Sequence, residues 1–152
     1  MTAAGHNYHF TVQEPGEGEI MGMGGPWAGS VYCGDVLVAR HAMVGNLVAD
    51  AAGLRLYFVR HYSMDKPWRW HHSFAICFVE VASGAVYEYA RQYRALYLGA
   101  FDEQGLLVAY HSFHDKLPMT AFCFDTDEEP YTAAGALTLN APPTGGAQGG
   151  TA

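Results

Sequence analysis

Eight histidines in 152 residues raise metal ligation first, because imidazole is the commonest side-chain ligand for transition metals. The set to weigh is His61, His71, His72, His111 and His114. His111 and His114 stand at i and i+3 in what reads as a strand, where they face opposite ways, and adjacent His71 and His72 are divided in the same manner. The spacing predicts strand-end and loop histidines, with no metal and no cofactor. Nucleophilic chemistry is no better supported. Ser30 in Gly29-Ser30-Val31 lacks a nucleophile elbow, and Ser83 lies in a tight turn. Gly22-Met23-Gly24-Gly25-Pro26 lacks the Lys and hydroxyl residue of a phosphate-cradling loop, and Pro26 removes a backbone donor. The chain reads as non-enzymatic.

Two other clusters suit binding. Lys66-Pro67-Trp68-Arg69-Trp70-His71 concentrates two Trp and one Arg on what reads as a surface connection. Trp and Arg dominate interface hot spots, so Trp68, Arg69 and Trp70 either anchor a partner or fold back to plug the end of the core. In Asp125-Thr126-Asp127-Glu128-Glu129 four of five residues are carboxylates, and Asp102 and Glu103 occupy another turn. Such a run steers a basic partner, or else only solvates its turn. It lacks the glycine and spaced oxygen ligands of an EF-hand loop. Eight Lys and Arg against fifteen Asp and Glu leave a formal charge of −7, which repels phosphate backbones and makes nucleic acid an unexpected partner.

The elements that must position these groups read as strands. Half of the residues are hydrophobic, 14% are aromatic and only 15% are charged, a composition for a globular chain with a sizeable core. Runs rich in Val, Tyr, Phe and Leu end at Gly-containing turns, the signal of hairpins. Segments 31–33 and 36–41 flank Gly34-Asp35; 54–62 follows Asp50-Ala51-Ala52-Gly53; 74–81 and 85–89 flank Ala82-Ser83-Gly84. Segments 95–101 and 106–113 flank Asp102-Glu103-Gln104-Gly105, and 119–124 closes the series. In 74–79 and 106–110 odd and even positions are both apolar, so both faces of those strands should be covered. The Gly-rich segment 15–29 is expected to be mostly loop. Cys33, Cys77 and Cys123 each sit in an apolar run and are expected as buried, reduced thiols. No basic start followed by an apolar run opens the chain, and no apolar stretch reaches about 20 residues, so a cytoplasmic protein that crosses no membrane is expected. The domain is assigned to residues 6–140, with 141–152 a flexible Gly/Pro-rich tail.

An internal repeat organises the strands. Asp50-Ala51-Ala52-Gly53-Leu54 recurs as Asp102-Glu103-Gln104-Gly105-Leu106, and Leu56 and Phe58 then fall on Val108 and Tyr110. Ala75-Ile76-Cys77-Phe78 recurs as Ala121-Phe122-Cys123-Phe124, with six extra residues in the first copy. A D-x-x-G-L turn, two strands and a Ser-Gly closure resemble a blade of the WD40-like and TolB-like β-propellers, over residues 46–89 and less fully over 96–131. Two or three blades do not close a propeller, so the expected class is all-β: antiparallel hairpin repeats in a partial propeller-like array or a twisted β-sandwich.

A small, acidic, motif-poor all-β chain of Gly/Ala-rich composition also resembles, by profile, the immunity proteins that bacteria pair with contact-delivered toxins. That resemblance implies a cytoplasmic inhibitor that covers the active site of a basic, nuclease-like toxin. The carboxylates of Asp102, Glu103, Asp125, Asp127, Glu128 and Glu129 would steer, and Trp68, Arg69 or Trp70 would anchor. The alternative is a small-ligand or carbohydrate-binding β domain with Trp68, Trp70, Tyr62 and His72 lining an aromatic cleft.

Overall fold

The structure is a computed structural model that describes residues 2–3, 5–12, 18–20, 25–66 and 69–134, with backbone alone for 2–3, 63–66 and 69–71. Trp68, the tail at 141–152 and much of the Gly-rich segment lie outside the described residues. The strands are β1 (Thr2–Ala3), β2 (His6–Thr11), β3 (Gly18–Glu19), β4 (Trp27–Cys33), β5 (Val36–Ala49) and β6 (Arg55–Lys66). They continue with β7 (Arg69–Glu80), β8 (Val86–Tyr93), β9 (Tyr97–Phe101), β10 (Leu107–Tyr110), β11 (Ala121–Phe124) and β12 (Tyr131–Ala133). Among the described residues the helical content is one 3-10 turn at Pro118–Thr120. All strand pairs are antiparallel. One sheet runs β1-β2-β4-β5-β6-β7-β8-β12, with β3 also on β4, and a second runs β9-β10-β11.

The apolar pattern explains how the sheets stack. Residues 74–79 of β7 are all buried, because its two faces meet two different cores. On one face Tyr57, Val59, Phe74, Ile76 and Phe78 pack against Leu98, Leu107, Ala109 and Phe124 of the smaller sheet. On the other, Leu56, Phe58, Cys77, Val79 and Val86 pack with Tyr8, Val31, Val38 and Ala39 of β2, β4 and β5. Strands as far apart in the ladder as β2 and β8 can share one cluster only if the large sheet curls over that face. Register shifts between β4 and β5 and between β5 and β6 supply bends for such a curl. Asn46, buried within the second shift, binds across to the other sheet. Its Nδ2 donates to the Leu98 carbonyl and its Oδ1 accepts from the Leu98 amide, both at 2.9 Å. One side chain thus satisfies both backbone groups of a β9 residue and pins the two sheets together.

The repeat is visible in three dimensions. β5-β6-β7 and β9-β10-β11 are both three-stranded meanders, and they face each other across one core, which is the stacked arrangement rather than a blade array. The ladder corrects one detail. Tyr57 pairs with Phe78 in the first copy, whereas its equivalent Ala109 pairs with Phe122 in the second, so the third strands are offset by two residues from the sequence alignment. A slip of two keeps the same side chains on the same face, which is why the pattern survives it.

Other expectations are corrected. Lys66, Arg69 and Trp70 are strand residues that close the β6–β7 ladder through Lys66↔Arg69, not parts of a surface connection. Cys77 is buried, but Cys33 is half-buried and Cys123 is exposed. β4 begins at Trp27, inside the segment read as loop, and β2 and β12 are strands that the Gly-bounded pattern does not mark.

Candidate functional site

The site is built from three turns, each closed by its first aspartate. In the first, Asp50 Oδ1 accepts from the amides of Leu54 (2.9 Å) and Arg55 (3.3 Å), and the Asp50 carbonyl accepts from Gly53. In the second, Asp102 Oδ1 accepts from Gln104 and Leu106, both at 2.9 Å, and its carbonyl accepts from Gly105. Gly53 and Gly105 have φ of 70° and 81°, a conformation that L side chains adopt at a cost, so the D-x-x-G order is a steric requirement. In the third, Asp125 Oδ1 accepts from Asp127 (3.0 Å) and Glu128 (3.2 Å). Tyr89, buried in the core, donates to the Thr126 carbonyl at 2.7 Å and fixes this turn to the sheet. Stacked meanders bring the first two turns to one end of the molecule, and the third folds in beside them.

Between them lies a cleft of about 520 Å³, lined by Asp50, Arg55, Tyr57, Phe101, Asp102, Glu103, Thr126 and Asp127 among others. The Arg55 guanidinium carbon sits 4.4 Å from the Phe78 ring centroid and 5.8 Å from that of Tyr131. Tyr57 packs on Phe78 and Phe101, with centroids 5.5 and 5.4 Å away. The floor is therefore aromatic and the rim carboxylate-rich, with one stacked cation between.

Of the predicted carboxylates, Asp102, Glu103 and Asp127 share this cleft. Asp125 and Asp102 spend an oxygen on their own turns, a local role beside the steering and solvating roles that the sequence suggests for them. Glu128 is exposed in the same turn, whereas Glu129 pairs with Arg91 at 3.3 Å. Asp50, Arg55, Tyr57, Phe101 and Thr126 were not singled out for binding, although the repeated D-x-x-G-L placed Asp50 opposite Asp102.

Arg69 and Trp70 stand elsewhere. Arg55, at the cleft, and Lys66, opposite Arg69, bound the 12 residues of β6, a span on the order of 35 Å of extended chain. The structure thus separates the aromatic-basic cluster from the carboxylates. Beyond Arg60 on one side and Phe74 on the other, β6 and β7 have no ladder partner but each other among the described residues, so they continue as a two-stranded arm.

The aromatic cleft of the alternative reading does not form around Tyr62 and His72, which occupy opposite faces of this arm. Tyr62 is on the curled face, where its hydroxyl donates to Glu88 Oε1. The same oxygen is 3.7 Å from Arg60 Nη1 and accepts from the Cys77 thiol at 3.5 Å. Burial, with Glu88 adding to it, pushes the Cys77 thiol well above its ordinary range, so it is a packed thiol and not a nucleophile. His72 is on the other face, its Nδ1 2.9 Å from His61 Nε2. Burial foremost, then His72 and His41, lowers the His61 pKa to about 4. His111 stacks on Phe122 at 4.2 Å, and His114 Nδ1 accepts from the Lys116 amide. No group of three or more His, Cys, Asp or Glu among the described residues is arranged to hold a metal ion. Among them, too, no helix is long and apolar enough to cross a membrane.

Compared with known proteins, the chain matches no family model, no curated protein and no solved structure.

Proposed function

We propose that the protein is a cytoplasmic, non-enzymatic inhibitor of the immunity type, which binds a basic, nuclease-like toxin domain through the carboxylate rim. The observation that supports this reading is the convergence of three aspartate-closed turns on one cleft, with Glu103 and Asp127 on its lining and Glu128 exposed beside them. Turns held by side-chain-to-backbone hydrogen bonds keep the backbone under these carboxylates fixed, so less loop entropy is lost on docking. A net charge of −7 extends the attraction beyond contact range.

The test is inhibition. Basic nuclease domains are mixed with the protein, and cleavage of a DNA or RNA substrate is followed. The expected result is stoichiometric inhibition of one of them, weakened at least tenfold by combined Glu103→Gln, Asp127→Asn and Glu128→Gln. Inhibition unchanged by those substitutions would count against the rim, and failure to bind any basic domain would count against the function.

A second reading has its own support. A cleft of about 520 Å³ floored by Tyr57 and Phe101 is within the size range of small-ligand sites. If a small molecule or sugar occupies it, Phe101→Ala abolishes that binding, while the three rim substitutions alter it little.

A further inference from the structure

Arg55 is a cation set among carboxylates without pairing to one. It lines the cleft with Asp50, Asp102, Glu103 and Asp127, yet among the described residues it makes no ion pair. The residue directly opposite it in the β6–β7 ladder is Glu80, the carboxylate best placed to neutralise it. Glu80 turns instead to hydroxyls, its Oε1 accepting from Tyr87 at 3.3 Å and from Ser83 at 3.4 Å. The Arg55 guanidinium rests on rings, its carbon 4.4 Å from the Phe78 centroid and 5.8 Å from that of Tyr131. The hydroxyls of Tyr57 and Tyr131 are its polar neighbours, and two hydroxyls do not exhaust five N–H donors. Contact through the face of a guanidinium leaves N–H groups at its edge, the geometry that takes a carboxylate through two parallel hydrogen bonds.

This charge pattern decides what docks. A uniformly basic patch would set a cation against Arg55 while its neighbours met the carboxylates, a like-charge contact that weakens the fit. A patch with one carboxylate among its cations meets each charge with its opposite.

We propose that Arg55 selects the partner by receiving a carboxylate flanked by lysine or arginine side chains, which meet Asp102, Glu103 and Asp127. The proposal rests on the reading of the rim as the docking face for a basic domain, and it narrows the surface that domain presents. Nucleases that cleave with divalent metal ions carry such a surface: carboxylates hold the ions, and cations around them hold phosphates. The cleft then fits the catalytic centre of the toxin rather than any basic face.

The experiment uses the full chain and two end-capped synthetic peptides, Lys-Lys-Asp-Lys-Lys and Lys-Lys-Asn-Lys-Lys, at neutral pH and low salt. Binding is followed by two-dimensional NMR at the amides of Leu54, Gln104, Leu106 and Asp127. Wild type is compared with Arg55→Gln and with the double variant Glu103→Gln, Asp127→Asn. Charge alone favours the Asn peptide, which carries one more net positive charge. The expected result in wild type is the opposite order, the Asp peptide binding about threefold more tightly, as one partly exposed ion pair allows. Arg55→Gln should restore the order set by charge, whereas the double variant should weaken both peptides and keep the Asp preference. If wild type takes the Asn peptide at least as tightly while the double variant weakens both, selection by Arg55 is overturned and the acidic docking face stands. An Asp preference that survives Arg55→Gln overturns it as well. If neither peptide shifts these amides, or the double variant binds both as wild type does, the docking face itself fails and the selection fails with it. The wild-type comparison is decisive without any variant having to fold.

Discussion

The two ends of the β6–β7 hairpin use the same ladder for different purposes. At the Arg55–Glu80 end both strands are flanked, by β5 and β8, and the adjoining turns are locked by aspartate oxygens that accept two amides each. At the Lys66–Arg69 end the strands pair only with each other among the described residues, and the nearest described side-chain link is the His61–His72 contact. A two-stranded ribbon alone is marginally stable in water, so the arm should open locally well before the sheet does. A rigid recognition surface is therefore better built at the acidic end, preorganised by pairing on both flanks, than on the arm, whose described backbone is paired within one two-stranded ladder.

The acidic end breaks most visibly in the core beneath the cleft. Phe78 touches Tyr57, Tyr87, Tyr89, Tyr131 and Arg55, so Phe78→Ala should cost about 3–5 kcal/mol of global stability in urea unfolding. A cost near zero would mean that the rim is not seated on the core. Next comes the pin between the sheets. Asn46→Ala leaves the Leu98 amide and carbonyl without their partners and should cost about 1–3 kcal/mol, with faster hydrogen exchange at Leu98.

Asp102→Ala should cost about 1 kcal/mol, as for other side chains that cap backbone amides, while Asp102→Asn, which keeps the acceptor, should cost much less. Equal effects would show that the carboxylate does not shape the turn.

At the arm the expected signature is a pH dependence. His61 is held at about 4, below the ordinary imidazole value near 6.5, so the unfolded chain takes up this proton first. Stability should therefore be full above about pH 6.5 and fall as the pH drops toward 4. His61→Gln should flatten that slope, though solvent at this half-buried position weakens the effect. Unaltered acid sensitivity in His61→Gln would remove the histidine pair as its source.

How much of this was legible in the sequence depends on whether the determining geometry is local. The D-x-x-G-L turns can be read directly, because an aspartate that caps amides two to five residues on and a glycine at positive φ are short-range requirements. Residues 74–79 can be read as buried on both faces, since both alternating sets are apolar. The offset of the third strands, by contrast, depends on a cross-strand register that a period of two does not distinguish. The His61–His72 contact is hidden for the same reason: the two histidines are 11 residues apart, and only the Tyr62↔Ser73 pairing makes them neighbours. Gly45-Asn46 has the composition of a turn, yet Asn46 lies within β5 because its amide finds Leu98 in the other sheet. The rim carboxylates were picked out by composition, but Arg55, Tyr57 and Phe101 join them only through stacking of the two meanders.

The preorganised acidic end is tested most directly by stopped-flow association with a basic nuclease domain across a range of salt concentrations. Wild type should associate fastest at low salt and slow steeply as salt rises, while Glu103→Gln with Asp127→Asn should be about tenfold slower at low salt, less steeply salt-dependent, and unchanged in stability. An association rate that is insensitive to salt in the wild type, or the same in both proteins, would rule out steering by the rim carboxylates.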